Sequence, residues 1–140
     1  MATNVEKPIR TWILVADGAE ARIFLSYPGE PKWRELHDFK NPQSRMRGVE
    51  LLEGPPDMDK GDLPRDREEV GFAHRLAKYL DVSLSRNTYD RLFVVAPPRF
   101  LGELRHELTR QVERRIVDCL TQDLVHLSPR ELTEHVQVHP

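Results

Sequence analysis

The chain holds one cysteine, Cys119, so no intramolecular disulfide can form and a reducing compartment suits it. Its opening, MATNVEKPIRTW, lacks the apolar core of a signal peptide, and no run approaches the ~20 apolar residues needed to span a bilayer. Both absences lead to the expectation of a cytoplasmic protein with no membrane partner. Charge of one sign is not in excess. The 23 acidic and 21 basic residues leave a formal net charge of −2, which excludes nucleic-acid binding by bulk charge and leaves room only for a local basic face. No G-x-S-x-G, P-loop or dinucleotide glycine motif occurs, and no internal repeat or low-complexity tract is visible. Cys119 sits in an apolar run without a base partner, so it reads as a small core residue. The six histidines (His37, His74, His106, His126, His135, His139) show no zinc-like spacing with a cysteine or carboxylate. No metal, cofactor or catalytic residue is therefore expected.

What the chain does have is organised around LFVVAPPRFLGELR, Leu92 to Arg105. Leu92 to Ala96 is a continuous apolar run, which suits a strand covered on both faces. Pro97-Pro98 ends it, because neither can donate to a ladder, and Pro98 carries the φ of a first helical turn. Leu101, Leu104, Leu108 and Val112 then recur at helical spacing, with Arg99, His106, Arg110 and Arg114 opposite. Val94 and Leu104 are expected in the core.

Upstream, Trp12 to Ala16 is a second continuous apolar strand, and Asp17-Gly18 joins it as a hairpin to an alternating strand from Ala19 to Tyr27. Trp33 to Lys40 alternates again and reads as an edge-like third strand. Residues 41–65 contain seven glycines and prolines, mixed charge and no sustained period, so they are expected to form a long mobile loop. Its apolar residues Met46, Val49, Leu51, Leu52 and Met58 suggest docking on the sheet, on a second copy or on a partner. Asp66 followed by Glu69 opens a helix to about Ser83, with a stripe of Val70, Ala73, Ala77 and Leu80 widened by Phe72, Leu76 and Tyr79. Arg115 to Thr121 is assigned to a fifth strand, and the capping box Ser128-Pro129-Arg130-Glu131 starts a last helix to about Val136. The order β-β-β-α-β-α-β-α predicts an α/β fold, a mixed five-stranded sheet with packed helices in the ribonuclease H-like arrangement, as a single domain over 1–140.

That arrangement raises a divalent-metal nuclease, which needs several converging carboxylates. Asp17 with Glu68 or Glu69 offers two, but the fourth strand ends in Ala96-Pro97-Pro98, and Asp17 is accounted for by the hairpin. The second-helix start, with Arg99, could hold an anion, and Arg110 and Arg114 extend that side. Glu103, Glu107 and Glu113 dilute it.

TWILVADGAEARIF, RLFVVAPPRFLGELR and LTQDLVHLSPRELTEHV together resemble the bacterial host attachment proteins, the family required for attachment to host cells. That family is in turn similar to the middle domain of archaeo-eukaryotic release factors and of Pelota. In a release factor a Gly-Gly-Gln loop between the meander and the first helix enters the peptidyl-transferase centre. Here the corresponding segment carries Gly48, Gly54 and Gly61 singly and Gln43 alone, so the resemblance does not extend to that hydrolysis. It implies a non-catalytic, release-factor-like module with a ribosomal or RNA partner, bound through Arg99, His106, Arg110 and Arg114 together with Arg45 and Arg47 of the loop. The alternatives are an attachment or surface-interaction protein that binds another protein or a second copy through the loop, and the nuclease.

Overall fold

The computed structural model describes residues 8–41 and 64–136. Its elements are β1 (Thr11–Ala16), β2 (Glu20–Ser26), β3 (Arg34–Lys40), α1 (Pro64–Ser85), β4 (Arg91–Val95), α2 (Pro98–Glu107), α3 (Arg110–Glu113), β5 (Ile116–Leu120) and α4 (Pro129–His135). The five strands form one sheet in the order β3-β2-β1-β4-β5. β1 pairs antiparallel with β2, and β2 with β3, while β1–β4 and β4–β5 are parallel. This is the ribonuclease H-like arrangement expected from the element order.

The continuous apolar runs of β1 and β4 follow from burial on both faces. One face of the sheet carries Trp12, Leu14, Ala16, Ala21, Ile23, Leu92 and Val94 under Phe72, Leu76 and Leu80 of α1 and Phe100, Leu101 and Leu104 of α2. The opposite face carries Ile13, Val15, Phe24, Phe93 and Val95 under Leu124, Val125, Leu132 and Val136. Alternate residues of each strand thus serve two layers, and a polar residue at either parity would lie in a core. Tyr89 closes the first layer: its ring stacks on Trp12 at 4.6 Å, its hydroxyl donates to the Leu80 carbonyl at 2.8 Å, and burial raises its pKa.

α1 begins at Pro64, two residues before the expected start at Asp66, with the proline in the first turn where its missing N–H costs nothing. Its buried face is Phe72, Ala73, Leu76, Ala77 and Leu80, whereas Val70, expected in the stripe, is exposed. Asn41, expected to open the loop, is instead fully buried. Its amide donates to the carbonyls of Gly18 (3.3 Å) and Glu68 (3.2 Å), its side-chain oxygen accepts from Arg75 (3.1 Å), and its backbone N–H donates to Ala19 (2.8 Å). One side chain thereby joins the β1–β2 turn, the end of β3 and the start of α1. At the same junction a Cβ on Gly18 would lie 2.5 Å from Cγ of Glu69, so any side chain there would force the Glu69 side chain to move. The expected docking of Met46, Val49, Leu51, Leu52 and Met58 falls outside the described residues.

Arg22 binds the far layer. It forms a two-pronged pair with Glu35 on β3, both contacts at 3.1 Å, and donates to the carbonyls of Val125 (3.1 Å) and Leu127 (2.6 Å). The segment between β5 and α4 is therefore fixed to β2. The capping box at α4 is present as expected, with Ser128 N–H donating to Glu131 at 2.9 Å and Glu131 N–H to the Ser128 hydroxyl at 3.1 Å. Cys119 is half-buried on the edge strand β5 rather than deep in the core, and burial raises its pKa. No helix among the described residues is long and apolar enough to cross a membrane.

Candidate functional site

The helical spacing from Leu101 to Val112 predicts one basic face running from Arg99 to Arg114; the chain divides it between two helices. α2 ends at Glu107, Leu108 is extended (φ −70°, ψ 144°), and Thr109 caps α3, its hydroxyl accepting from Val112 N–H at 3.3 Å and donating to Asp81 at 3.0 Å. Val112 is still a core residue, but it reaches the core from α3. The periodicity survives the break because both helices lie on the same sheet face. The local signal for the break is Thr109 itself, a strong N-cap residue at a position where it fits a helix interior less well.

At the start of α2, Arg99 lies 3.9 Å from both Glu69 and Glu103, so its charge is balanced locally. At the last turn of the same helix, Arg105 lies 3.9 Å from Glu113 of α3, and the His74 ring sits 2.8 Å from the Glu107 carboxylate. His106 is exposed. An anion approaching the start of α2 meets carboxylates on both sides of Arg99, and the prolines of the turn leave fewer donors to compensate.

The arginines gather at the other end of the layer. α1 closes at Ser85, and Asn87 turns the chain through the left-handed region at φ 59°, a conformation asparagine tolerates. Arg10 grips this turn, donating to the Asn87 carbonyl (2.6 Å) and side chain (3.1 Å) and to both oxygens of Asp90 (each 3.1 Å), while its backbone N–H donates to Asp90 at 2.7 Å. These bonds hold the Asp90 carboxyl below the usual carboxylate range, with the hydrogen bond from Arg10 the leading cause and the Arg115 charge a smaller one. The same pairing raises the pKa of Arg10.

With Asp90 engaged by Arg10, the adjoining open depression of about 560 Å³ is lined by Leu84, Ser85, Asn87, Gln111, Arg114 and Arg115. Arg115 touches Asp90 only through its carbonyl, at 3.5 Å. Arg110 precedes Arg114 by one helical turn, and Arg86 adjoins Asn87. Arg86, Arg110 and Arg114 make no ion pair among the described residues, and all four arginines are exposed. The depression can therefore attract an anion through several guanidinium groups, each suited to two-pronged contact with phosphate. Of the six residues expected to bind, Arg114 lines this depression and Arg110 lies one helical turn before it, Arg99 and His106 are not among the lining residues, and Arg45 and Arg47 lie outside the described residues. Arg115, not among the six, lines it as well. A strand expected from Arg115 onward divides the adjacent pair Arg114-Arg115 in the sequence reading, and Arg86 directly precedes the lining residue Asn87.

The Arg10–Asp90 clasp makes a pH prediction. A depressed carboxyl pKa contributes stability that is present above the unfolded value of about 4 and is lost as pH falls through the folded value. Asp90→Asn should therefore be less stable than the parent at pH 7, with the difference shrinking below about pH 4. Urea midpoints measured from pH 7 to pH 2 check this, and a constant difference across that range would remove the clasp as its cause.

The carboxylates weighed for a nuclease do not converge. Asp17 accepts from Ala19 and Glu20 N–H at 2.8 Å each, as the hairpin reading requires, and Glu69 turns toward Gly18 and Arg99. Among the described residues neither Glu68 nor Glu69 joins Asp17 in a group of three close ligands.

Comparison with solved structures finds a likeness to the Pelota protein of Thermoplasma acidophilum, at 12% identity and a TM-score of 0.47, covering 96% of this chain and 40% of that one. A second is to the PPX-GPPA enzyme of Aquifex aeolicus, at 11% identity and a TM-score of 0.39, covering 81% of this chain and 36% of that one. The chain thus spans well under half the length of either protein. A search of curated protein sequences gives no match. Residues 12–136 match the family model described as "Protein required for attachment to host cells". That span runs from β1 through α4, and the chain belongs to the family of proteins required for attachment to host cells.

Proposed function

We propose that the chain is a non-catalytic, release-factor-like module that binds an RNA, such as ribosomal RNA, through Arg86, Arg110, Arg114 and Arg115. The observation that carries this reading is the depression beside Asn87, where Asp90 is engaged by Arg10 and the neighbouring arginines remain open to an incoming anion. Phosphate contacts of this kind position a nucleic acid without reading its bases, and their strength falls with salt because condensed counterions are released. The near-neutral net charge confines binding to the patch.

The test is association of the full chain with ribosomes and with a structured RNA across a salt series. Substituting alanine for Arg110, Arg114 and Arg115 together should weaken binding at least tenfold and flatten the salt dependence by about two to three contacts' worth. All three are exposed, and circular dichroism reports whether the fold is kept. Absence of salt-sensitive association, or equal binding by the triple variant, overturns the reading. A second reading, direct binding of another protein during attachment, is favoured by the family description. Specific capture of a cell-envelope protein without ribosome association would support it.

A further inference from the structure

We propose that Asp17, Asp123 and His126 form a binding site for one divalent transition-metal ion, zinc foremost. Each offers one ligand atom, and these atoms all lie within 4.8 Å of one another. They come from two places far apart in the chain: Asp17 follows β1, whereas Asp123 and His126 follow β5. Both lie beyond the carboxyl ends of strands in the parallel half of the sheet, β1 and β5, with β4 between them. Outside the carboxyl ends of such strands is where open α/β sheets hold their ligands.

The two ligand segments are held in place independently of any ion. Asp17 uses Oδ1 for the Ala19 and Glu20 N–H groups, which fixes its carboxylate and leaves Oδ2 outside those two bonds. Between Asp123 and His126, Leu124 and Val125 are buried in the far layer, and Arg22 holds the carbonyls of Val125 and Leu127. The polar residues at either end of this anchored pair are consequently exposed, on a backbone that cannot drift. Neither Asp123 nor His126 makes a hydrogen bond or ion pair among the described residues, so neither must give up a partner to bind.

The donor set selects the ion. One imidazole nitrogen with two carboxylate oxygens suits zinc and its first-row neighbours, whereas magnesium and calcium favour oxygen alone. Zinc bonds of about 2.0–2.2 Å place tetrahedral ligands about 3.4 Å apart, a closure within reach of rotations of the exposed Asp123 and His126 side chains. Three protein ligands leave at least one position on the ion for water or an incoming oxygen.

The test is calorimetric titration of the metal-stripped full chain with zinc chloride, with cobalt chloride as an optical probe of coordination. One equivalent should bind. Asp123→Asn and His126→Ala should each weaken binding at least tenfold, while His135→Ala, an exposed position on α4, should leave it unchanged. Both ligand variants alter exposed residues, and unchanged thermal unfolding of the metal-free forms separates loss of a ligand from loss of fold. Absence of a saturable one-equivalent phase, equal loss in His135→Ala, or indifference to both ligand variants overturns the proposal. Equal competition by magnesium removes the imidazole from the site and overturns it as well.

Discussion

Leu104→Ala should lower the free energy of unfolding by about 3–4 kcal/mol, the range for a buried leucine whose surroundings collapse only partly. Leu104 is fully buried in the layer that α1 and α2 share over the sheet, so truncation removes contacts on several sides at once. With a urea slope of roughly 2 kcal/mol per molar, the midpoint should fall by about 1.5–2 M. Val94→Ala, in the same layer, should move the midpoint in the same direction by less, because fewer atoms are removed. A shift below about 0.3 M in Leu104→Ala would place this residue outside the core.

Asn41→Ala should cost about 3 kcal/mol through a different mechanism, since each buried polar group left without a partner costs roughly 1–3 kcal/mol. Removing the amide abandons the carbonyls of Gly18 and Glu68 and the guanidinium of Arg75 in one step. Arg75 is exposed and can turn to water, so Arg75→Ala should cost less than about 1 kcal/mol. Urea midpoints of the two variants separate the contributions. Equal losses would mean that the Asn41–Arg75 contact, rather than the carbonyls of Gly18 and Glu68, carries the effect.

The contrast between Leu104 and Asn41 marks what the sequence made legible. Leu104 announces itself by helical spacing, as the apolar runs of β1 and β4 announce burial on two faces and Ser128-Pro129-Arg130-Glu131 announces a helix start. Such signals are local, and the antiparallel meander followed by βα crossovers turns them into the observed strand order. Asn41 carries no such mark, because its burial depends on acceptors 23 and 27 residues away. The same holds for Arg10, whose partners are 77 and 80 residues distant and which decides whether Asp90 is available to neighbouring arginines. Of the candidate cationic site, the sequence showed Arg110 and Arg114 but assigned them to the wrong helix. A pattern of period 3.6 cannot distinguish one helix from two that cover the same layer.

The parallel pairing of β1 with β4 has a consequence for the order in which the protein is made. β2 follows β1 at once and covers one edge, but the opposite edge of β1 waits for β4, about 80 residues later, as the Arg10–Asp90 contact shows. At roughly 5–20 residues per second, synthesis leaves that edge unpaired for roughly 4–16 s. Throughout this interval Thr11–Ala16 presents unsatisfied backbone groups between two apolar faces, the combination that recruits foreign strands. The newborn chain is thus most prone to self-association before Arg91–Val95 emerges, and a holdase that shields extended apolar segments should raise its soluble yield by acting in that window.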